Sequence, residues 1–97
     1  MKGVVFEGDR KISLAEFPDP TPGPGEVVLE IKASGMCGSD LKYYRSGKAA
    51  ISPALGAHRG PVIAGHEPCG VVAAIGANVP ANQARIGQRV MVHHYRG

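Results

Sequence analysis

Glu26-Val27-Val28-Leu29-Glu30-Ile31-Lys32-Ala33-Ser34 runs directly into Gly35-Met36-Cys37-Gly38-Ser39-Asp40, and the join between these two halves decides the fold. In the first half, Val27, Leu29, Ile31 and Ala33 fall on one side and Glu30, Lys32 and Ser34 on the other. That is the period of two expected of a strand with one apolar face. In the second half, Gly35 breaks the alternation. The run Ser39-Asp40-Leu41-Lys42-Tyr43-Tyr44-Arg45 then opens on a capping residue and stops at Gly47, which frames a helix of about two turns.

Working outward, Met1–Phe6 and Ile12–Phe17 are β-rich runs on either side of Glu7-Gly8-Asp9-Arg10, which carries the glycine and acidic residue of a hairpin turn. Pro18-Asp19-Pro20-Thr21-Pro22-Gly23-Pro24-Gly25 removes backbone donors at four positions. Neither a helix nor a central strand can pass through it, so it reads as a stiff surface crossing inside one sheet system rather than a flexible linker. Residues 47–60 show no periodicity and read as a loop. Strand character returns over Gly70–Ile75, Gly76-Ala77-Asn78-Val79-Pro80 supplies a turn, and Arg89–His93 is the last strand. Five or six short strands and one small helix predict a mainly β chain, a partial barrel or sandwich occupying residues 1–97 as one domain.

Composition narrows the function classes. At 97 residues the sequence carries one core at most. Hydrophobic residues make up 43% and charged residues 20%, which is ordinary for a globular chain and unlike a disordered one. Eleven cations against eight anions leave a net charge of +3 with no basic block, so a nucleic-acid interface is not expected. The opening apolar run is too short for a secretory signal and no stretch would span a bilayer, which makes the cytoplasm the default location. Without a secretory signal, Cys37 and Cys69 read as metal-binding or reduced thiols rather than a disulfide.

Two constellations carry chemistry. Cys37 lies between glycines where the strand gives way to the helix start, and the amides and dipole of a helix N-terminus favour the thiolate that zinc requires. A small buried cysteine at a tight bend is an equal reading. Gly65-His66-Glu67-Pro68-Cys69-Gly70 sets an imidazole beside a carboxylate just before a strand. A single histidine is weak evidence, but thiolate, imidazole and carboxylate together are the donors of an open zinc site.

These residues resemble the zinc-containing medium-chain alcohol dehydrogenases. Gly65-His66-Glu67 with Gly70, Gly76 and Val79 is similar to that family's zinc signature, and Cys37-Gly38-Ser39-Asp40 is similar to its first ligand segment. The proline-rich crossing, the strand from Val27 and Ile86-Gly87-Gln88-Arg89-Val90 resemble it too, so the likeness runs from end to end. It implies a GroES-like fold in which Cys37 and His66 ligate a catalytic zinc. Glu67 would lie beside the metal and join its coordination transiently. Asp40 would accept from the ring N–H of His66 and fix its tautomer, with a plain helix-start carboxylate as the other reading. Ser39 would pass the substrate proton outward, whether or not it also caps the helix. Where many members continue the relay with a histidine, this chain has Lys42.

The resemblance further implies oxidation of a small alcohol or polyol with hydride transfer to NAD or NADP. The third zinc ligand and the dinucleotide-binding domain would lie beyond Gly97, so the 97 residues alone should not turn over an alcohol. Strand edges left open would favour homo-oligomerisation, and Tyr43 and Tyr44 are candidates for the substrate wall. His58, His93 and His94 are given no ligand role, and Cys69 is expected to fill a small core space. Two other readings compete: a non-catalytic GroES-like interaction module, and the zinc-free quinone reductase branch. Neither has a need for Cys37, Ser39, Asp40, His66 and Glu67 together.

Overall fold

The computed structural model describes residues 1–47 and 63–93. Most of the expected loop over 47–60 lies outside these residues, as do His58 and His94. The chain divides into two compact units, one comprising the described residues of Met1–Pro18 and Met36–Gly65, the other those of Asp19–Gly35 and His66–Gly97. Among the described residues there are five strands and one helix, so the mainly β reading holds. The strands form one two-stranded and one three-stranded sheet, and neither closes into a barrel.

The first unit is built on the hairpin of β1 (Lys2–Gly8) and β2 (Lys11–Glu16). The strands run antiparallel from Lys2↔Glu16 to Phe6↔Ile12, and the register shifts before Gly8↔Lys11. The turn needs three consecutive left-handed residues, Gly8, Asp9 and Arg10, with φ of 88°, 54° and 64°. Glycine adopts this region freely and Asp tolerates it, whereas Arg10 is strained there. The turn is held from outside the hairpin. Asp9 N–H donates to the Ser46 carbonyl and Arg10 N–H to that of Tyr44, each at 2.8 Å. These carbonyls lie at the end of helix α1 (Gly38–Arg45), where the last C=O groups lack intrahelical partners. One pair of hydrogen bonds thus completes both the turn and the helix end. Val5 is buried in this unit, and Gly3 lets Ile63 approach so closely that a Cβ there would lie 2.6 Å from its Cγ1.

The second unit is the antiparallel sheet β3 (Val27–Gly35), β4 (Glu67–Ile75) and β5 (Arg89–Met91), with β4 in the middle. Val72, at the centre of β4, is only 1% exposed. Gly70 is buried against β3, where a Cβ would sit 2.2 Å from the Glu30 carbonyl oxygen. The close approach of the two backbones therefore requires glycine.

The alternation of β3 is interrupted, because the register with β4 shifts between Val28 and Leu29 and again between Ile31 and Ala33. Val28 and Leu29 are consequently both half-buried while Ile31 is exposed, since a bulge breaks the two-residue period. β4 begins at Glu67, three residues before the expected start, and β5 ends at Met91. The proline-rich crossing does not lie inside one sheet system: it leads from the hairpin to the three-stranded sheet. It is nonetheless stiff within the second unit. Gly23 N–H donates to Glu26 Oε2 at 2.9 Å, Gly25 N–H to the Ala77 carbonyl at 2.7 Å, and Gly76 N–H to that of Glu26 at 2.8 Å. Cys69 is exposed rather than packed in a core.

Candidate metal centre

Cys37 is the N-cap of α1, with extended dihedrals of φ −107° and ψ 164°. Its N–H donates to Asp40 Oδ2 at 2.9 Å, and Asp40 N–H donates to the Cys37 carbonyl at 3.1 Å. Asp40 occupies the third helical position, where a carboxylate reaching back to the cap amide is the acidic arm of a capping box. The side chain is only 4% exposed and is the one buried charged group among the described residues. Burial without a partner would be costly, and the hydrogen bond from Cys37 is one interaction that offsets it. The thiol-bearing residue and the buried carboxylate are therefore locked to each other by local geometry.

This arrangement corrects one reading and extends another. Ser39 is not the cap, because Cys37 takes that position and the helix starts at Gly38. Ser39 is half-buried in the first turn instead. Asp40 does act as a helix-start carboxylate, through one of its two oxygens. Tyr43 and Tyr44 follow in the same helix, both half-buried.

In the second unit, His66 is half-buried at the entry to β4 and Glu67 is the first residue of that strand. The His66 Nε2 and Glu67 Oε2 atoms are 3.9 Å apart. Glu67 is the β-sheet partner of Gly35 at the far end of β3. A Cβ on Gly35 would lie 3.4 Å from Glu67 Cβ and 3.6 Å from its Oε1, so glycine leaves room beside the carboxylate. Sequence reasoning placed Glu67 ahead of the strand and gave Gly35 no part in the site. A proline at position 68 hid the strand start, since it cannot donate to a ladder. It is tolerated because its carbonyl is the group used, accepting from Val92 N–H at 3.0 Å.

Neither Cys37 nor Cys69 is in a disulfide. Cys37, His66 and Glu67 provide one sulfur, one nitrogen and one oxygen donor, the mixture found in open zinc sites rather than in the all-oxygen sites of calcium or magnesium. His93 is exposed on the stretch after β5. No helix among the described residues is long and apolar enough to cross a membrane.

Comparison with known proteins gives a consistent result. The family model of the alcohol dehydrogenase GroES-like domain matches residues 23–97. The zinc-type alcohol dehydrogenase-like protein YphC of Escherichia coli is 37% identical over the whole of this chain and 27% of its own length. D-xylulose reductase of Saccharomyces cerevisiae is 39% identical over 92% of the chain and 24% of its own length. Among solved structures, 2R,3R-butanediol dehydrogenase of Bacillus subtilis matches with a TM-score of 0.76 at 31% identity, over 94% of this chain and 27% of its own. The RspB alcohol dehydrogenase of Escherichia coli, solved with NADH, matches with a TM-score of 0.69 at 36% identity, over 95% of this chain and 24% of its own. The chain thus spans about a quarter of the length of the curated relatives it matches.

Proposed function

The chain belongs to the alcohol dehydrogenase GroES-like domain family, and we propose that it supplies the catalytic-zinc side of an alcohol or polyol dehydrogenase that passes hydride to NAD or NADP. One observation carries this reading. Gly35 and Glu67 form the end rung of the β3–β4 ladder, Cys37 follows Gly35 by two residues, and His66 immediately precedes Glu67. Covalent geometry keeps the Cα of Cys37 within about 7 Å of that of Gly35. That rung supports the reading, because the segment carrying the thiol and the one carrying the imidazole and carboxylate both continue from it.

In this reading Cys37 and His66 are the zinc ligands contributed by the chain, and Glu67 is a carboxylate that joins or leaves the coordination. The metal, when bound, supplies Lewis-acid polarisation of the substrate oxygen and makes the alcohol a better proton donor near neutral pH. Every other task falls to side chains. The Cys37 cap geometry holds the sulfur at the start of α1, where helix amides favour negative charge. Asp40 steadies Cys37 by accepting from its amide, and a carboxylate so placed would orient the His66 ring by taking its N–H. Ser39, in the first turn of α1, would carry the substrate proton away through its hydroxyl. Lys42 stands where many members of the family would continue the relay with histidine, so the outer proton path of this chain must differ from theirs.

Xylulose reductase, sorbitol dehydrogenase and butanediol dehydrogenase among the relatives support a polyol or vicinal diol as substrate class. The NADH complex of the RspB structure supports a nicotinamide as the hydride acceptor. We extend the proposal to self-association through the open strand edges. Zinc calorimetry on the wild-type chain and on Cys37→Ala and His66→Ala tests the metal assignment. Each variant should weaken binding by at least about a hundredfold, roughly 2.7 kcal/mol. Unchanged affinity in either variant would remove that residue from the site.

A further inference from the structure

The sheet carries a second pair of soft donors that the zinc assignment does not use. Cys69 on β4 and Met91 on β5 are direct partners across the antiparallel ladder. The hydrogen bonds on either side, Val72 N–H to the Gln88 carbonyl and Val92 N–H to the Pro68 carbonyl, fix which rungs are hydrogen-bonded. They fall on the even-numbered pairs 72↔88 and 68↔92, so 69↔91 is a non-hydrogen-bonded rung. At such rungs the two side chains stand on the same face at their closest, with Cβ atoms about 4.5 to 5.5 Å apart. Both are open to solvent: Cys69 is exposed and Met91 is 77% exposed. A thioether so exposed gains nothing from burial, and an exposed thiol beside it gains nothing from packing.

We propose that Cys69 and Met91 form a binding site for a soft monovalent metal ion such as Cu(I), held between a thiolate and a thioether. Thiolate and thioether sulfurs are the donors that select Cu(I) over harder ions. Sulfurs carried on Cβ atoms about 5 Å apart can face a single ion with little backbone adjustment, because Met has three rotatable side-chain bonds. Binding releases one proton, that of the Cys69 thiol, to solvent, and involves no change of oxidation state. The site uses none of Cys37, His66 and Glu67, although Cys69 follows Glu67 by two residues on β4.

The experiment is an anaerobic competition for Cu(I) against bathocuproine disulfonate. It is run on the chain carrying Cys37→Ser, which removes the other thiolate while keeping a good N-cap residue. One Cu(I) per chain should be retained, and adding either Cys69→Ser or Met91→Leu should weaken retention by about tenfold or more. Both positions are exposed, so the far-UV circular dichroism should match that of the parent and report that the sheet is intact. Absence of Cu(I) retention in the parent overturns the proposal. So does full retention in Met91→Leu, which would reduce the site to a single surface thiol. Because Cys37 is absent throughout, either result leaves the zinc assignment untouched.

Discussion

Replacing Gly70 by alanine should be among the most damaging single-methyl changes available to this chain. The added Cβ would lie 2.2 Å from the Glu30 oxygen, 3.0 Å from the Glu30 carbonyl carbon and 3.1 Å from Ile31 Cα. All three are backbone atoms of β3, and Glu30 and Ile31 are the ladder partners of Val71 and Gly70. No side chain can rotate away, so the strands must separate where they are hydrogen-bonded. Overpacking of this kind costs roughly 3 kcal/mol, at the upper end of its usual range because backbone must move. For a domain of this size, about 4 to 8 °C of Tm is lost per kcal/mol, which gives a drop of roughly 12 to 24 °C. Thermal unfolding followed by circular dichroism measures it. Gly38→Ala is the control, since nothing lies within 4 Å of its Cβ and it stands in the first turn of α1. That substitution should be neutral or stabilising by up to about 1 kcal/mol. A Gly70→Ala protein melting within about 2 °C of wild type, well below the shift expected for such overpacking, would refute the reasoning.

Two further changes probe the remaining supports. Asp40→Ala removes the acceptor for the Cys37 amide and should destabilise by about 1 kcal/mol, visible as a lower urea midpoint; an unchanged midpoint would mean that the cap contributes nothing. Val72→Ala opens a small cavity at the centre of β4 and should cost about 2 kcal/mol in the same titration, whereas a loss near zero would place the hydrophobic centre of the sheet elsewhere.

The fold was legible where local chemistry acts alone. The hairpin declared itself through two β-rich runs around Gly8-Asp9, and the helix through its stop at Gly47. What escaped the sequence was set by neighbours along the ladder. The two register shifts in β3 depend on how β4 lies beside it, so Val28, outside the expected apolar set, is half-buried while Ile31, inside it, is exposed. The early start of β4 was masked because Pro68 reads as a breaker, although only its carbonyl is needed. At the candidate site, the residue types of Cys37, His66 and Glu67 were readable, and so was a carboxylate at the helix start. That Cys37 rather than Ser39 caps the helix was not, because cysteine is a poor statistical cap and serine a good one. Cys69 was expected to fill a small core space, yet it is exposed on β4.

The most direct test of the account is X-ray absorption at the zinc edge of the zinc-loaded chain, recorded alongside Cys37→Ser. Zinc held by Cys37 and His66 gives a sulfur shell near 2.3 Å and a nitrogen or oxygen shell near 2.0 to 2.1 Å in the wild type, with the sulfur shell lost in the variant. A wild-type spectrum made only of light-atom scatterers, or a sulfur shell that survives Cys37→Ser, would contradict it.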